Sequence, residues 1–351
     1  MTGATDPGRA QTTTLVVAAF TGGVDVPGAR FRVRQYVSPL RAAGIEIVEF
    51  PSRAGAYPPA ELRRRPAWAV RNLASRLVDL RHARRADATL FQREFLATVV
   101  SLEHLSRRPR VLDVDDAIWL YGGEAFARRL AGLCDVVACG NAFLAEWFAR
   151  SHPRVELLPT AVDTARFVPA PALAAEDAPV IGWSGSASTL PYLHAIEQPL
   201  GEVLRRNPRA TLRVVCDRPP DLPSLRGRVA FVRWSPEVEV RSIQDMTVGL
   251  MPLDDSVAAR GKCSLKMLLY MACGVPVVVS PIGANRDVLS RGEVGFGALS
   301  ADDWVDALDL ILRAPERARE IGARGRAVVE EHFSVQALAP RLATLLRGVA
   351  G

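Results

Sequence analysis

Only two of the 44 lysines and arginines in this 351-residue chain are lysines, Lys262 and Lys266, and they lie four residues apart. Every other basic position is Arg, so the run Arg260-Gly261-Lys262-Cys263-Ser264-Leu265-Lys266 asks for an ammonium in particular. An ammonium is a compact point charge on a thin stem, whereas a guanidinium is a broad planar fork. A crowded phosphate site at a helix start is where that difference counts, because first-turn amides and the helix dipole already face the anion there. The run follows Met251-Pro252-Leu253 and opens a helical pattern over 263–273. Lys262 and Lys266, with the amides of 261–264, are therefore candidates to hold phosphate oxygens; two surface lysines one turn apart are the plain alternative. A second set of candidates is Asp113, Asp115 and Asp116, which close the apolar run 111–114. Acids at such an edge can bind hydroxyls, orient a substrate or serve as a base, or else cap a turn. Arg30, Arg32 and Arg34 follow Gly22-Gly23 and Gly28 at i, i+2, i+4 spacing, so on one helix Arg30 and Arg34 share a face. They are candidates to reach a phosphate or another acidic ligand, with a solvated helix face as the alternative. Arg93 and Glu94 end another strand-like run, as an internal ion pair or a ligand contact.

The elements that position these residues alternate short β-rich runs with longer helical patterns, which predicts parallel α/β sheets. Strands are expected over 14–20, 45–50, 88–92, 110–114, 136–139 and 155–158, then over 180–183, 211–216, 229–232, 248–251, 276–279 and 295–298. Helices fill the gaps, among them 30–43 and 142–150. Both halves open alike: the run 15–20 enters Thr21-Gly22-Gly23, and Val180-Ile181-Gly182-Trp183 enters Ser184-Gly185-Ser186. A strand feeding a glycine loop and then a helix lets backbone approach a ligand at the carboxyl edge of a sheet. The expected organisation is two Rossmann-like domains facing each other, 1–170 and 178–332, joined by the Pro/Ala-rich stretch 169–179. A final helix over 333–351 carries Leu338, Leu342, Leu345 and Leu346.

Composition excludes several classes. Five scattered cysteines make no CxxC pair and no Cys/His metal spacing, and read as reduced thiols of a cytoplasmic protein. No apolar run approaches the ~18 residues of a membrane span, and the polar segment 1–14 before a strand-sized run reads as no signal peptide. A net charge of +6 suits anionic ligands or an anionic membrane surface, and no aromatic-laced basic stripe supports nucleic acid as a partner. The Ala/Arg-heavy composition fits a GC-rich bacterial genome.

Five segments together resemble the GT-B glycosyltransferases, in a family-4-like branch. They are Arg30-Phe31-Arg32-Val33-Arg34-Gln35-Tyr36, Phe91-Gln92-Arg93-Glu94, Asp113-Val114-Asp115-Asp116-Ala117-Ile118-Trp119, the crossing Leu158-Pro159-Thr160-Ala161-Val162-Asp163, and the stretch 249–281 with Met271-Ala272-Cys273-Gly274-Val275-Pro276. The resemblance implies an acceptor in the N-terminal half, a nucleotide-sugar donor in the C-terminal half, chemistry in the cleft, and a last helix that crosses back onto the first domain. It implies a metal-independent, retaining transfer from a nucleoside-diphosphate sugar to a hydroxyl of a glycan, lipid-linked or small-molecule acceptor, with no cofactor. Asp115 stands where relatives often carry a histidine near the donor sugar.

The chain departs from the family's pattern in two places. The two glutamates usually found eight positions apart, the first on the donor sugar and the second on the ribose, fall at Gly261 and Leu269. The Arg and Lys usually found after the second domain's first strand are replaced by Trp183-Ser184-Gly185-Ser186-Ala187-Ser188-Thr189. Lys262, Lys266 and Arg260 are the expected replacements, stabilising the charge that builds on a departing diphosphate. Gly185, Ser186, Trp234, Gly261 and Ser264 complete the expected donor site, with Trp234 stacking on the base or packed in the core. Gly22, Gly23, Arg32, Arg34, Arg93 and Glu94 are the expected acceptor or cleft residues. Asp115 and Asp116 are the candidate bases should the transfer invert. Asp113-Val114-Asp115 mimics a DxD metal motif, but a metal would duplicate the lysines and none is expected. The missing glutamates also allow a catalytically weak or inactive relative that binds a nucleotide sugar or supports a partner enzyme; an epimerase or a pyridoxal-phosphate phosphorylase on Lys266 are more remote. Finally, 61–85 reads as a basic amphipathic helix, either an ordinary cover on the sheet or a peripheral contact with anionic lipid.

Overall fold

The computed structural model describes residues 14–24, 26–55, 57–170 and 178–351. Most of the expected linker, 171–177, lies outside the described residues. Two six-stranded parallel sheets form the molecule. The first contains β1 (Leu15–Thr21), β2 (Ile45–Pro51), β3 (Ala88–Gln92), β4 (Arg110–Val114), β5 (Val136–Cys139) and β6 (Val155–Leu157), in the order β2-β1-β3-β4-β5-β6. The second contains β7 (Val180–Ser184), β8 (Thr211–Cys216), β9 (Val229–Arg233), β10 (Val248–Met251), β11 (Val277–Val279) and β12 (Gly295–Gly297), in the order β12-β11-β10-β7-β8-β9. Strands such as Val136-Val137-Ala138-Cys139 and Val277-Val278-Val279 are buried throughout. Helices cover both faces of such sheets, which is why these strands are apolar without alternation.

Strand order reverses between β1 and β3 in the first sheet and between β7 and β10 in the second. Crevices open beyond the carboxyl ends at those points, because the connections leave toward opposite faces. The Gly22-Gly23 loop and Arg93 lie at the first crevice, and Ser184-Gly185 and Pro252 at the second.

The C-terminal helix, Val335–Ala350, belongs to the first sheet's core. Leu338, Leu342, Leu345 and Leu346 are buried among Val17, Tyr36, Leu40 and Ile45. The crossing is pinned where Val162 N donates to Phe333 O at 2.8 Å and Val335 N donates to Val162 O at 3.0 Å. The single helix expected over 30–43 is instead three short turns, Pro27–Arg32, Arg34–Tyr36 and Val37–Ala42. Val33 breaks the helix (φ −127°, ψ −63°). Phe31 packs into the second domain's core while Val33, Tyr36 and Leu40 pack on the first sheet, two directions that the break makes compatible.

Candidate active site

The Leu265–Ala272 helix carries the second domain's wall. Its entrance turns on Ser264, whose backbone is left-handed (φ 55°), an uncommon state for a residue with a side chain. The buried Ser264 hydroxyl donates to Asn285 Oδ1 at 2.7 Å and fixes that turn. Lys266 and Tyr270, one helical turn apart, share a face and both reach the loop after β7. Tyr270 Oη accepts from Ser184 N at 2.7 Å. Lys266 Nζ donates to Thr189 Oγ1 at 3.0 Å and lies 4.4 Å from the centre of the Trp183 ring. A Cβ on Gly185 would stand 2.5 Å from that Nζ and 2.4 Å from the Trp183 ring, so glycine is what lets the loop close over the ammonium. Burial strips water from the Lys266 ammonium and the Lys262 charge repels it; its pKa falls from 10.5 to about 7. An anion beside it would restore the charged form. Lys262 Nζ lies 5.9 Å from the Tyr192 ring centre. Ser186 pairs with Ser188 at 2.9 Å, and Ala187 N donates to Asp217 Oδ1 at 2.6 Å, which holds the loop. Arg260 folds back onto exposed Asp255 through two bonds of 2.7 and 2.6 Å.

The first domain's wall is built at the ends of β3 and β4. Buried Arg32 donates Nε to Asp113 Oδ2 at 2.9 Å and Nη1 to Leu158 O at 2.9 Å. Burial alone would lower the guanidinium's pKa; Asp113 outweighs it and holds the group above its ordinary value. Arg34 donates to Glu49 at 2.7 Å and to Gly23 O at 3.0 Å, and so fastens the Gly22-Gly23 loop from behind. Neither arginine reaches across the cleft as the i, i+2, i+4 spacing suggested; each is drawn to a carboxylate in its own domain. Arg30 crosses instead, donating to both Glu239 oxygens at 2.7 Å. Asp116 closes a turn: its Oδ1 accepts from Ala117 N at 2.8 Å and its Oδ2 from Tyr121 Oη at 3.3 Å. Arg93 (φ 75°) and Glu94 touch at 3.4 Å, and the Arg93 guanidinium lies 5.9 Å from the Tyr121 ring centre.

Asp115 receives no donor on its carboxylate among the described hydrogen bonds. Burial pushes its carboxyl pKa up, with Arg32 pulling the other way and Asp113 adding to the rise. Because Arg32 occupies the Asp113 carboxylate, Asp113 and Asp115 do not make an open pair. Among the described residues no group of three or more His, Cys, Asp or Glu side chains could hold a metal ion.

The two walls meet on backbone. A Cβ on Gly261 would stand 2.8 Å from Ala117 Cβ and 3.0 Å from Ala117 N. The first of the two positions where the resemblance led one to expect a glutamate is thus filled by the opposite domain. Leu269, at the other glutamate position, is buried in the second domain's core. Cys263 enters the first domain's core, its Sγ donating to Asp115 O at 3.3 Å and lying 2.4 Å from where a Gly140 Cβ would be. Asn141 Nδ2 donates to Arg260 O at 3.1 Å and Lys262 O at 2.9 Å. Trp234 sits in the Arg30–Glu239 latch: its Nε1 donates to Glu239 Oε1 at 3.3 Å, and its ring lies 5.5 Å from the Arg30 guanidinium.

Asn141, Tyr270, Glu239 and Gln92 were not singled out from the sequence. Gly140-Asn141 after a strand is an N-cap signal, and Asn141 Oδ1 does accept from Leu144 N. Tyr270 could have been found at i+4 from Lys266. Glu239 carries no local signal, because its partner lies 209 residues away.

Comparison with known proteins agrees with this geometry. The family model described as glycosyl transferases group 1 matches residues 178–314. The chain is 28% identical to the GDP-mannose-dependent alpha-(1-6)-phosphatidylinositol monomannoside mannosyltransferase of Mycolicibacterium smegmatis, over 63% of this chain and 64% of that one. It is 23% identical to the D-inositol 3-phosphate glycosyltransferase of Nocardia farcinica, over 52% of this chain and 45% of that one. The matches thus span under two thirds of these relatives' lengths. Among solved structures, sucrose-phosphate synthase of Thermosynechococcus elongatus superposes with a TM-score of 0.70 at 17% identity, over 95% of this chain and 98% of that one. Anabaena Alr3699/HepE in complex with UDP-glucose gives 0.71 at 13% identity, over 95% and 99%. Residues 178–314 thus match the glycosyl transferases group 1 model, and the two-sheet architecture of the whole chain is the GT-B fold.

Proposed function

We propose that this protein moves a sugar from a nucleoside-diphosphate donor, held by the second domain, to a hydroxyl acceptor presented by the first. The observation that carries this reading is the Lys266 ammonium, partly buried between Trp183, Thr189 and Gly185, with the start of its helix turned by Ser264. As the bond between the sugar and the diphosphate breaks, negative charge grows on the leaving oxygens. A fixed cation and loop amides in a site poor in water stabilise that charge more than water would. The loop and helix do here what an Arg and Lys after the first strand do in relatives. Transfer is metal-independent in this reading, since the lysines supply the charge a divalent ion would bring. It retains configuration, the departing phosphate taking the acceptor's proton on the same face.

That the relatives are a GDP-mannose-dependent mannosyltransferase and an inositol-phosphate glycosyltransferase, and that a structural neighbour holds UDP-glucose, supports a nucleotide sugar as donor. The protein works at the inner membrane face in this account, with 61–85 as its contact. Among the described residues no helix is long and apolar enough to cross a membrane.

The test is incubation with GDP-mannose and UDP-glucose, with and without magnesium or EDTA, while released diphosphate is followed. Release from one donor, unaffected by EDTA and reduced by about one to two orders of magnitude in Lys266→Met, is expected, since a charged hydrogen bond contributes roughly 1.5–3 kcal/mol. Release that requires magnesium, or that survives the substitution, would contradict the assignment.

A further inference from the structure

The first-domain wall holds buried oxygens that nothing among the described residues satisfies. Gln92, at the carboxyl end of β3, is 2% exposed, and its Oε1 has no hydrogen-bond partner. Glu94, two residues on, also leaves a buried oxygen, Oε2, bare, while its Oε1 meets Arg93 and Thr98 N only at 3.4 and 3.3 Å. Buried polar groups are nearly always paired, and leaving one bare is costly. Gln92 and Asp115 belong to one spot: a Cβ on Gly28 would stand 2.4 Å from Gln92 Nε2 and 3.3 Å from Asp115 Oδ2. Arg93, between Gln92 and Glu94, has a strained left-handed backbone, and such outliers gather at ligand sites. The spot lies at the strand-order reversal of the first sheet, where ligands bind.

The buried unmet atoms, Gln92 Oε1 and Glu94 Oε2, are acceptors: an amide oxygen and a carboxylate oxygen accept and do not donate. They call for a ligand that brings several donors. A phosphate offers oxygens and negative charge, which Asp115, Asp116 and Glu94 would oppose. A sugar or cyclitol ring offers hydroxyls. Position 261, which could have supplied a carboxylate from the other domain, is a glycine pressed on Ala117.

We propose that Gln92, Glu94 and Asp115 form a hydroxyl-reading site in the first domain for a ring polyol that carries no phosphate at that face. The inference rests on the glycosyltransferase reading. The ring is either the donor's sugar or the acceptor's, and the two are separated by the arms of one experiment.

Calorimetry compares UDP with UDP-glucose and GDP with GDP-mannose, and then myo-inositol with D-inositol 3-phosphate on the diphosphate-loaded protein, for wild type, Gln92→Leu and Glu94→Gln. Diphosphate affinity stays unchanged in both variants, which keeps this test independent of the donor-site assignment. If the ring is the donor's, the affinity that glucose or mannose adds falls about tenfold. If it is the acceptor's, myo-inositol binding falls about tenfold, and the phosphorylated form binds more weakly than myo-inositol to wild type. Gln92→Leu keeps or raises the thermal midpoint, because it removes an unsatisfied amide; a polar group holding the fold together would lower it. Unchanged affinity for every ring, tighter binding of the phosphorylated polyol, no ring binding by wild type, or a lowered midpoint in Gln92→Leu would overturn the proposal.

Discussion

In the proposed donor site, Lys266 acts in opposite directions on stability and on diphosphate binding. Its folded pKa of about 7 lies below the unfolded value near 10.4. The unfolded chain therefore binds more protons between those values, and this group's contribution to stability rises with pH across that window. At pH 6 the buried ammonium costs the free protein stability in full, so Lys266→Met should melt higher than wild type there, with the gap closing toward pH 10. Thermal melts across that range check this. A diphosphate has the opposite pH dependence: it favours the ammonium, so its affinity should fall as pH climbs above 7, by up to about tenfold per unit. Titrations at pH 6, 7, 8 and 9 measure the slope, and Lys266→Met should abolish it. Arg32 is a different case. It is a buried partner of Asp113, and Arg32→Met leaves that carboxylate uncompensated, at a cost of about 3–5 kcal/mol by denaturant melting.

At the scale of elements, the loop 260–264 reaches into the first domain. Gly261 rests on Ala117, Cys263 fills space beside Gly140, and Asn141 caps one helix while gripping two carbonyls of the loop. Gly261→Glu would force a side chain against the Ala117 backbone and push the walls apart. Diphosphate binding should survive, since Lys266 and Gly185 lie in one domain, while transfer falls at least about tenfold. Equal losses in binding and transfer would show that the loop serves only the donor. The strands were legible in the sequence almost residue for residue: the run 88–92 and Ala88–Gln92 coincide, as do 110–114 and Arg110–Val114. An apolar run between turn residues is a local signal that two-sided burial keeps. The broken 30–43 helix was not legible, because the break answers to two cores that local periodicity does not encode. Lys266 stood out through its rarity, and the structure sets it against the β7 loop. Glu239 and the fate of Arg32 depend on partners 209 and 81 residues away, and no local spacing reports those.

At the scale of the whole molecule, charge is unevenly spread. Between 61 and 85 eight arginines face two acids, an excess equal to the chain's entire net charge of +6, so the remainder is neutral. The Arg65–His82 helix turns Asn72, Arg76, Asp79 and Leu80 inward and leaves Val70 and Leu77 exposed with Arg71 and Arg81, and the turn Leu62–Arg64 just before it exposes Leu62, Arg63 and Arg64. Apolar side chains among exposed arginines suit an anionic bilayer, each basic group near the surface contributing about 1 kcal/mol. Vesicles with anionic lipid should sediment the protein at low salt and release it at high salt, and replacing Arg63, Arg64, Arg71 and Arg81 by Gln should abolish this. Binding indifferent to lipid charge would remove the membrane from the account.

The central claim is that a lysine and a glycine loop replace the family's usual phosphate ligands. Gly185→Ala tests it most directly, since the added methyl needs the place of the Lys266 ammonium and the Trp183 ring edge. The measurement is the affinity of wild type and Gly185→Ala for UDP and GDP in EDTA. The account predicts metal-free binding of one of them by wild type, weakened about tenfold or more by the methyl, in a protein that still melts cooperatively. Equal affinity in the two proteins, or binding by neither until magnesium is added, would contradict it.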